Sequence, residues 1–432
     1  MTTATMTTDL ATVAPELEPY RIAGRAAFEA APMPTRKDEH WRFTRLRGVE
    51  LADVPEFVPA ADPDAVLKRV ADSLTAATDT AGELLHVNGA SSDEHLRVGT
   101  LPDGVIFTTL ARAASEHPEL FARHFGTVVP TSESCNDKFV NLNTATIANG
   151  AFLYVPRNTR VELPFRADVV MTAGGAVNWR ALVVLDEGAE ATFVEEFLST
   201  DPSAGGFSNA VVELVAGANA HLHYVTVQDY AKPVQHFATH RVHAHRDAQV
   251  EWSAVGLGAS QGKSRMEAHM LGAGSNVKLT GAYYLDGQQQ LDFDTYQLHA
   301  AQNATSDLFF KGVLDDKAHS IWRGMIAVAP GAQGTDAFQN NRNLILRSGA
   351  HADSIPGLQI EANDVRCTHA ATTSKIDAEQ LFYLQARGID RESAIREIVR
   401  GFFVDVLDRI GVVQVREQVQ AALWARMERT QD

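Results

Sequence analysis

Residues able to do chemistry are sparse in this chain, and the most suggestive pair lies late, at Cys367 and His369 in the stretch Asp364-Val-Arg-Cys-Thr-His-Ala-Ala-Thr-Thr-Ser-Lys-Ile-Asp377. On an extended strand, residues two apart project from one face, so thiolate and imidazole could reach the same soft metal or cluster. Two ligands make half a site. Complete zinc or iron–sulfur sites normally take four, and no Cys-x-x-Cys exists in the chain to supply the rest. The residue types leave two readings open: a buried cysteine beside a hydrogen-bonded histidine, or a partial site whose remaining ligands come from another chain.

Other constellations are weaker. His221-Leu-His223 puts two imidazoles on one strand face, as in cupin-type metal sites, which also want a nearby Glu; positions 226–228 are Thr-Val-Gln. A cupin-like metal-binding enzyme is the alternative this pair raises, against solvated or interfacial histidines. Gly262-Lys263-Ser264 ends like a phosphate loop. However, the first glycine of that pattern falls on Leu257, and an alternating run follows where a helix N-terminus is needed. Glu195 and Glu196 point to opposite faces of a strand and cannot form a close acid/base pair. There is no Gly-x-Ser-x-Gly elbow, and Cys135 has no evident activator.

The elements that must position these residues fall into three stretches. With 432 residues, 45% of them hydrophobic, the chain can bury a substantial core. A formal charge of −16, without long basic runs, argues against nucleic-acid binding. Two cysteines make no disulfide framework, the start lacks a basic-then-apolar leader pattern, and no apolar run nears the ~18 residues of a membrane span. These features point to a reduced, cytoplasmic setting.

The first dozen residues, rich in Thr and Ala, suggest a loose terminus. From about Pro19 to His124 the pattern is mostly helical, punctuated by prolines. Between about Phe139 and Ile360 the texture changes to short apolar/polar alternations bounded by Gly, Asn and Asp, the period of half-buried strands. A turn-then-strand unit recurs at about 30-residue intervals, at Glu187-Gly-Ala-Glu, Ala216-Gly-Ala-Asn, Arg246-Asp-Ala-Gln, Gly274-Ser-Asn, Asp316-Lys-Ala-His and Ser348-Gly-Ala-His, with one longer gap near Asp307. Such a repeat favours a stacked β-solenoid, in which each rung buries its inner face against its neighbours; a hairpin-built sandwich or jelly roll is the competing fold. After Asp377, an N-cap aspartate, a helix to Gln385 and a stop at Gly388 precede a second helix from Asp390, with Ile395, Ile398, Val399 and Phe402 on its core face. The expected organisation is an α-rich domain over 1–130, a β-helix core over 131–368 and a helical domain over 369–432.

Several segments together resemble the SufB/SufD family of iron–sulfur cluster assembly proteins: Pro34-Thr-Arg-Lys-Asp-Glu-His-Trp-Arg-Phe-Thr44, Thr335-Asp-Ala-Phe-Gln-Asn-Asn-Arg-Asn-Leu-Ile-Leu346, Pro356-Gly-Leu-Gln-Ile-Glu361, Asp364 to Thr372, and Gln380-Leu-Phe-Tyr-Leu-Gln-Ala-Arg-Gly-Ile389. The wording is closest to the SufD branch, because Asn340-Asn341-Arg342 stands where SufB carries a cluster-building cysteine. The resemblance implies a right-handed parallel β-helix between helical terminal domains and a non-catalytic scaffold subunit of a SufBCD complex. It also implies pairing with a SufB-like paralogue and docking of a SufC-like ATPase on the C-terminal helices, with Phe382, Tyr383, Arg387, Gly388 and Phe402 as candidate contacts. His369, accompanied by Cys367, matches the position that helps hold a nascent cluster at the seam between paralogues. No cofactor is expected to stay tightly bound to the isolated chain, and a homodimer is possible when it is alone.

Overall fold

The computed structural model describes residues 14–44, 46, 48–51, 62–73, 79–172, 174–203 and 205–429. The terminal Thr/Ala-rich stretch and Pro55, one of the prolines that punctuate the N-terminal helical pattern, lie outside the described residues.

From Ala151 onward the chain alternates between two sheets. The strands are β4 (Ala151–Val155), β5 (Phe165–Met171), β6 (Ala176–Leu185), β7 (Glu190–Ser199), β8 (Gly206–Ala216), β9 (His221–Asp229), β10 (Val234–Ala244) and β11 (Gln249–Gly256). They continue as β12 (Gln261–Met270), β13 (Asn276–Leu285), β14 (Gln290–His299), β15 (Thr305–Leu314), β16 (His319–Val328), β17 (Thr335–Ile345), β18 (His351–Ile360) and β19 (Val365–Lys375). Odd strands stack in one sheet and even strands in the other, every neighbouring pair parallel and in register. The result is a mainly β, two-sheet solenoid of about eight turns with helices at both ends of the chain.

The spacing of Gly, Asn and Asp has a backbone cause. Asn158, Gly188, Asn219, Asp247, Gly274, Asn303 and Gly334 all have positive φ, between 54° and 73°, at the corner leading into an odd strand. Each donates its N–H to a carbonyl of the next turn, as Gly188 does to Ala218 (2.8 Å), Asn219 to Arg246 (2.8 Å) and Gly334 to Asp364 (2.7 Å). A left-handed residue is needed at each corner, and Gly and Asn tolerate it best. The apparent gap near Asp307 closes here. Asn303 and Gly334 keep the period, whereas Asp316 and Gly349 lie in turns leading into even strands.

Two stretches differ from the sequence expectation. Residues 82–109, read as helical, form β1 (Gly82–Val87), β2 (Ala90–Val98) and β3 (Ile106–Thr109). β1 extends the odd sheet beside β5 and β3 caps the even sheet against β4. Asn88 and Gly89, both at positive φ, make the two-residue hairpin turn between β1 and β2. Conversely, Lys138–Thr146, read as strand, is a helix on the even sheet. Its Asn143 side chain donates to the carbonyls of Trp179 (2.9 Å) and Asn209 (3.0 Å), clamping two rungs.

Naming helices in chain order, α1 (Glu18–Ala30), α2 (Pro63–Ala71), α3 (Leu110–Glu116), α4 (Pro118–His124) and α5 (Lys138–Thr146) precede the main solenoid. α6 (Ala378–Ala386), α7 (Arg391–Leu407) and α8 (Val413–Arg429) follow it. The N-terminal elements cover the outer face of the even sheet: Trp41 stacks on Phe139 (5.1 Å), His40 pairs with Asp294 (3.1 Å), and Glu39 reaches Arg323. The C-terminal helices cover the odd sheet, where Val399, Phe403, Val406, Val415 and Leu423 pack on Val225, Val255 and Tyr284. Inside, Trp179, Trp252, Trp322, Tyr224 and Tyr283 fill the lumen. No described helix is long and apolar enough to cross a membrane.

Candidate functional site

Cys367 and His369 sit on β19, the last strand of the odd sheet, and β18 ends the even sheet. This rung therefore has a free edge on each sheet among the described residues.

Register tells which way the side chains face. His369 is paired with Gln339 and Cys367 with Ala337. Gln339 is buried and donates across the lumen to the Gly357 carbonyl at 3.2 Å, so its face is the inner one. Residues opposite each other in a parallel pair share a face, which puts Cys367 and His369 over the mouth of the lumen. Cys367 is half-buried against Ile326, Val328 and Ala337; His369 is exposed. Across the mouth, Ser354 bonds inward to Asn341 (2.7 Å), so Pro356, Leu358 and Ile360, on the same alternation, also face it. Leu358 and Ile360 remain 37% and 41% exposed.

Partial burial, with the Asp336 carboxylate nearby, pushes the Cys367 thiol up. It is a ligand only for an ion that can displace its proton. His369 offers an imidazole, and one imidazole plus one thiol leaves any ion dependent on further ligands.

The candidate docking residues separate into two groups. Asp377 caps α6 by accepting from Glu379 N (2.9 Å), and Asp390 caps α7 by accepting from Ser393 N (2.9 Å). Gly388 turns between them at φ 87°. Phe382 and Tyr383 project to solvent beside an open groove between α6 and α7 that includes Asp377, Glu397 and Ile398. Arg387 lies over the Tyr383 ring at 5.0 Å. Phe402 faces the other way. Its ring lies under Lys311 Nζ (4.5 Å), which donates to the Phe402 carbonyl (2.7 Å) and to Asp405 (2.5 Å), tying α7 to β15.

The remaining sequence candidates are dispersed. His223 faces Glu251 (3.3 Å), and among the described residues no third ligand converges on His221 and His223. Their strand also belongs to a parallel solenoid, whereas a cupin is an antiparallel double-sheet jelly roll. Lys263 is buried in β12 and pairs with Asp292 (3.0 Å) and Asp294 (3.1 Å), so no phosphate loop forms. Glu195 turns into the lumen, where it accepts from Trp179 Nε1 (2.8 Å) and Tyr224 Oη (2.5 Å), and burial pushes it up to about 7.

Sequence reasoning missed one constellation. His319, His351 and Asp353 bring ligand atoms within 4.8 Å of one another on the outer face of the even sheet. The signal was present: His319 and His351 hold the same place in two of the repeat units, one turn apart, and His351-Ala-Asp353 has same-face spacing.

Fold and site together define a helix-flanked parallel β-solenoid whose metal-competent residues lie on and beside its open last rung. The chain matches the SUF system FeS cluster assembly SufBD core domain over residues 169–402 and the SufBD N-terminal region over 6–167. It belongs to the SufBD family, and its role is in iron–sulfur cluster assembly. It is 35% identical over 312 residues to an iron–sulfur cluster assembly SufBD family protein of Mycobacterium tuberculosis, covering 70% of this chain and 76% of that one. It is 29% identical over 416 residues to the iron–sulfur cluster assembly protein SufD of Bacillus subtilis, covering 94% and 93% of the two chains.

Proposed function

We propose that this chain is a non-catalytic, SufD-like scaffold subunit of a cytoplasmic SufBCD-type complex. It pairs with a SufB-like paralogue through the rung of β18 and β19 and docks a SufC-like ATPase at α6 and α7. An iron ion or nascent cluster is held transiently at the seam, with His369 as this chain's ligand, Cys367 beside it, and the other ligands from the paralogue.

The observation that carries the reading is that, among the described residues, no further strand caps the last rung. Solenoids ordinarily close their last repeat with a polar cap, because an exposed inner face and free strand edges invite association. Here Leu358 and Ile360 stay partly exposed at the mouth that His369 faces from the other sheet, which suits a second solenoid end rather than water. The same free edges support self-pairing when the paralogue is missing.

Reconstitution with SufB-like and SufC-like partners under anaerobic conditions tests this. A His369→Ala variant is expected to assemble the complex while forming clusters more slowly. Wild-type cluster formation by a fully assembled variant complex would reject the role given to His369.

A further inference from the structure

We propose that His319, His351 and Asp353 form a binding site for one divalent first-row transition-metal ion. The site lies on the outer face of β16 and β18, on the opposite side of the sheet from the lumen mouth where Ser354, Pro356 and Leu358 face. His319 and His351 stand directly opposite each other on adjacent parallel strands, and Asp353 follows His351 by two residues on the same face. Strands about 4.8 Å apart place such a trio around a single point. Their rings are 5.1 Å apart between centroids. His319 Nε2 lies 2.8 Å from one Asp353 oxygen and His351 Nε2 lies 3.0 Å from the other.

Both imidazoles thus aim the same nitrogen at one carboxylate. An ion entering there takes the place of the Nε2 protons that bridge to Asp353 in that tautomer, which pass to Nδ1 or to solvent, and gains two imidazole nitrogens and one carboxylate oxygen. Two imidazoles and one carboxylate suit Fe²⁺, Zn²⁺, Co²⁺ and their neighbours, and leave coordination positions open for water or a further ligand. Gln290, next in the same row, places its amide nitrogen 3.5 Å from His319 Nδ1 and 3.4 Å from the Phe43 carbonyl. Once His319 binds through Nε2 and carries its proton on Nδ1, the amide must turn its oxygen toward Nδ1 to accept that proton. The side chains of His319 and Asp353 are 26% and 31% exposed, held by strands yet open to an ion from solvent.

Metal binding does not depend on the scaffold reading above; only its use as a station for ferrous iron would. The test is titration of the untagged full chain with Co²⁺, followed by its visible d–d absorption and by calorimetry. One ion per chain is expected. His351→Ala and Asp353→Asn are expected to weaken binding at least about tenfold, whereas His221→Ala, on the other sheet, leaves it unchanged. His351 is 66% exposed, so its loss should spare the fold, with circular dichroism as the check. Absence of Co²⁺ binding by the wild-type chain, or equal binding by the variants, would overturn the assignment.

Discussion

Truncating the exposed aromatics of α6 should separate docking from folding. Phe382 and Tyr383 are 72% and 57% exposed. A whole aromatic side chain buries roughly 150–250 Å², so a partner that covered them would remove roughly 100–150 Å² of each from water. At about 25 cal/mol per Å² that area corresponds to about 3 kcal/mol per ring. Ordering both surfaces consumes part of this gain, and truncating a central aromatic in an interface commonly costs about 2–4 kcal/mol. Phe382→Ala should therefore weaken binding of the SufC-like ATPase by about thirtyfold to several hundredfold, at about 1.4 kcal/mol per tenfold. Tyr383→Ala should show a smaller loss, since its ring starts less exposed and already carries Arg387. Calorimetric titration of the purified ATPase reads both, and circular dichroism should stay unchanged because buried Leu381 and the Asp377 cap still anchor the helix. Undiminished affinity in the double variant would refute the placement of the docking surface on α6.

Two further outcomes concern the solenoid itself. Burial holds the interior histidines His86, His236 and His240 down at about 3, so each costs stability as pH falls from its unfolded value near 6.5. Asp168 and Glu195, pushed up to about 7 by burial, act oppositely, losing stability as pH rises from about 4 to 7. Because they offset the histidines in the wild type, the clean comparison is His236→Asn. Its loss of stability between about pH 7.5 and 5 in urea denaturation should be smaller than wild type by about 2 kcal/mol, and an equal loss in both would contradict the buried neutral imidazole. Arg180 and Glu213 form a fully buried ion pair, and Glu213 also accepts from Gly126, Val128 and Val129 N at 3.0 Å each. Arg180→Met leaves that carboxylate without its counter-charge and should cost about 3–5 kcal/mol, visible as a lowered thermal midpoint.

What the sequence revealed depended on whether a signal was local. The Asp377 and Asp390 caps and the Gly388 stop are written in single residues next to the elements they end, and the structure has them in those roles. The solenoid was legible because a left-handed corner recurs each turn and admits few residue types. The hairpin at Asn88-Gly89 was equally local, but surrounding helical texture obscured it. Lys138–Thr146 looked like strand because Asn and Thr are poor helix formers; here Asn143 clamps two rungs, a tertiary gain that overrides propensity. The lumen cluster of Glu195, Tyr224 and His240 was illegible for another reason. Its members come from both sheets and meet across the interior, so their contacts follow solenoid geometry rather than spacing within any one strand.

Strand parity divides the chemistry of the last turns. On β18, even positions face the mouth and odd positions face outward, so Ser354 and Leu358 lie on the face proposed for a solenoid partner and His351 and Asp353 on the face proposed for an ion. A shift of one residue in register would exchange the two faces, which is why the pairing of β18 on β16, begun where the His351 N–H donates to the Ala318 carbonyl (2.9 Å), matters to the proposed sites as well as to the fold. The same rung is joined to the docking helix by Ile376 and Asp377 alone, and α7 is fastened to β15 through Lys311. A partner that displaced α6 would therefore pull on β19 through a two-residue link too short to absorb much movement. Phe382 and His369 lie on consecutive elements of this chain, and under the proposed scaffold role that continuity would let a partner docked at α6 act on a ligand at the open end.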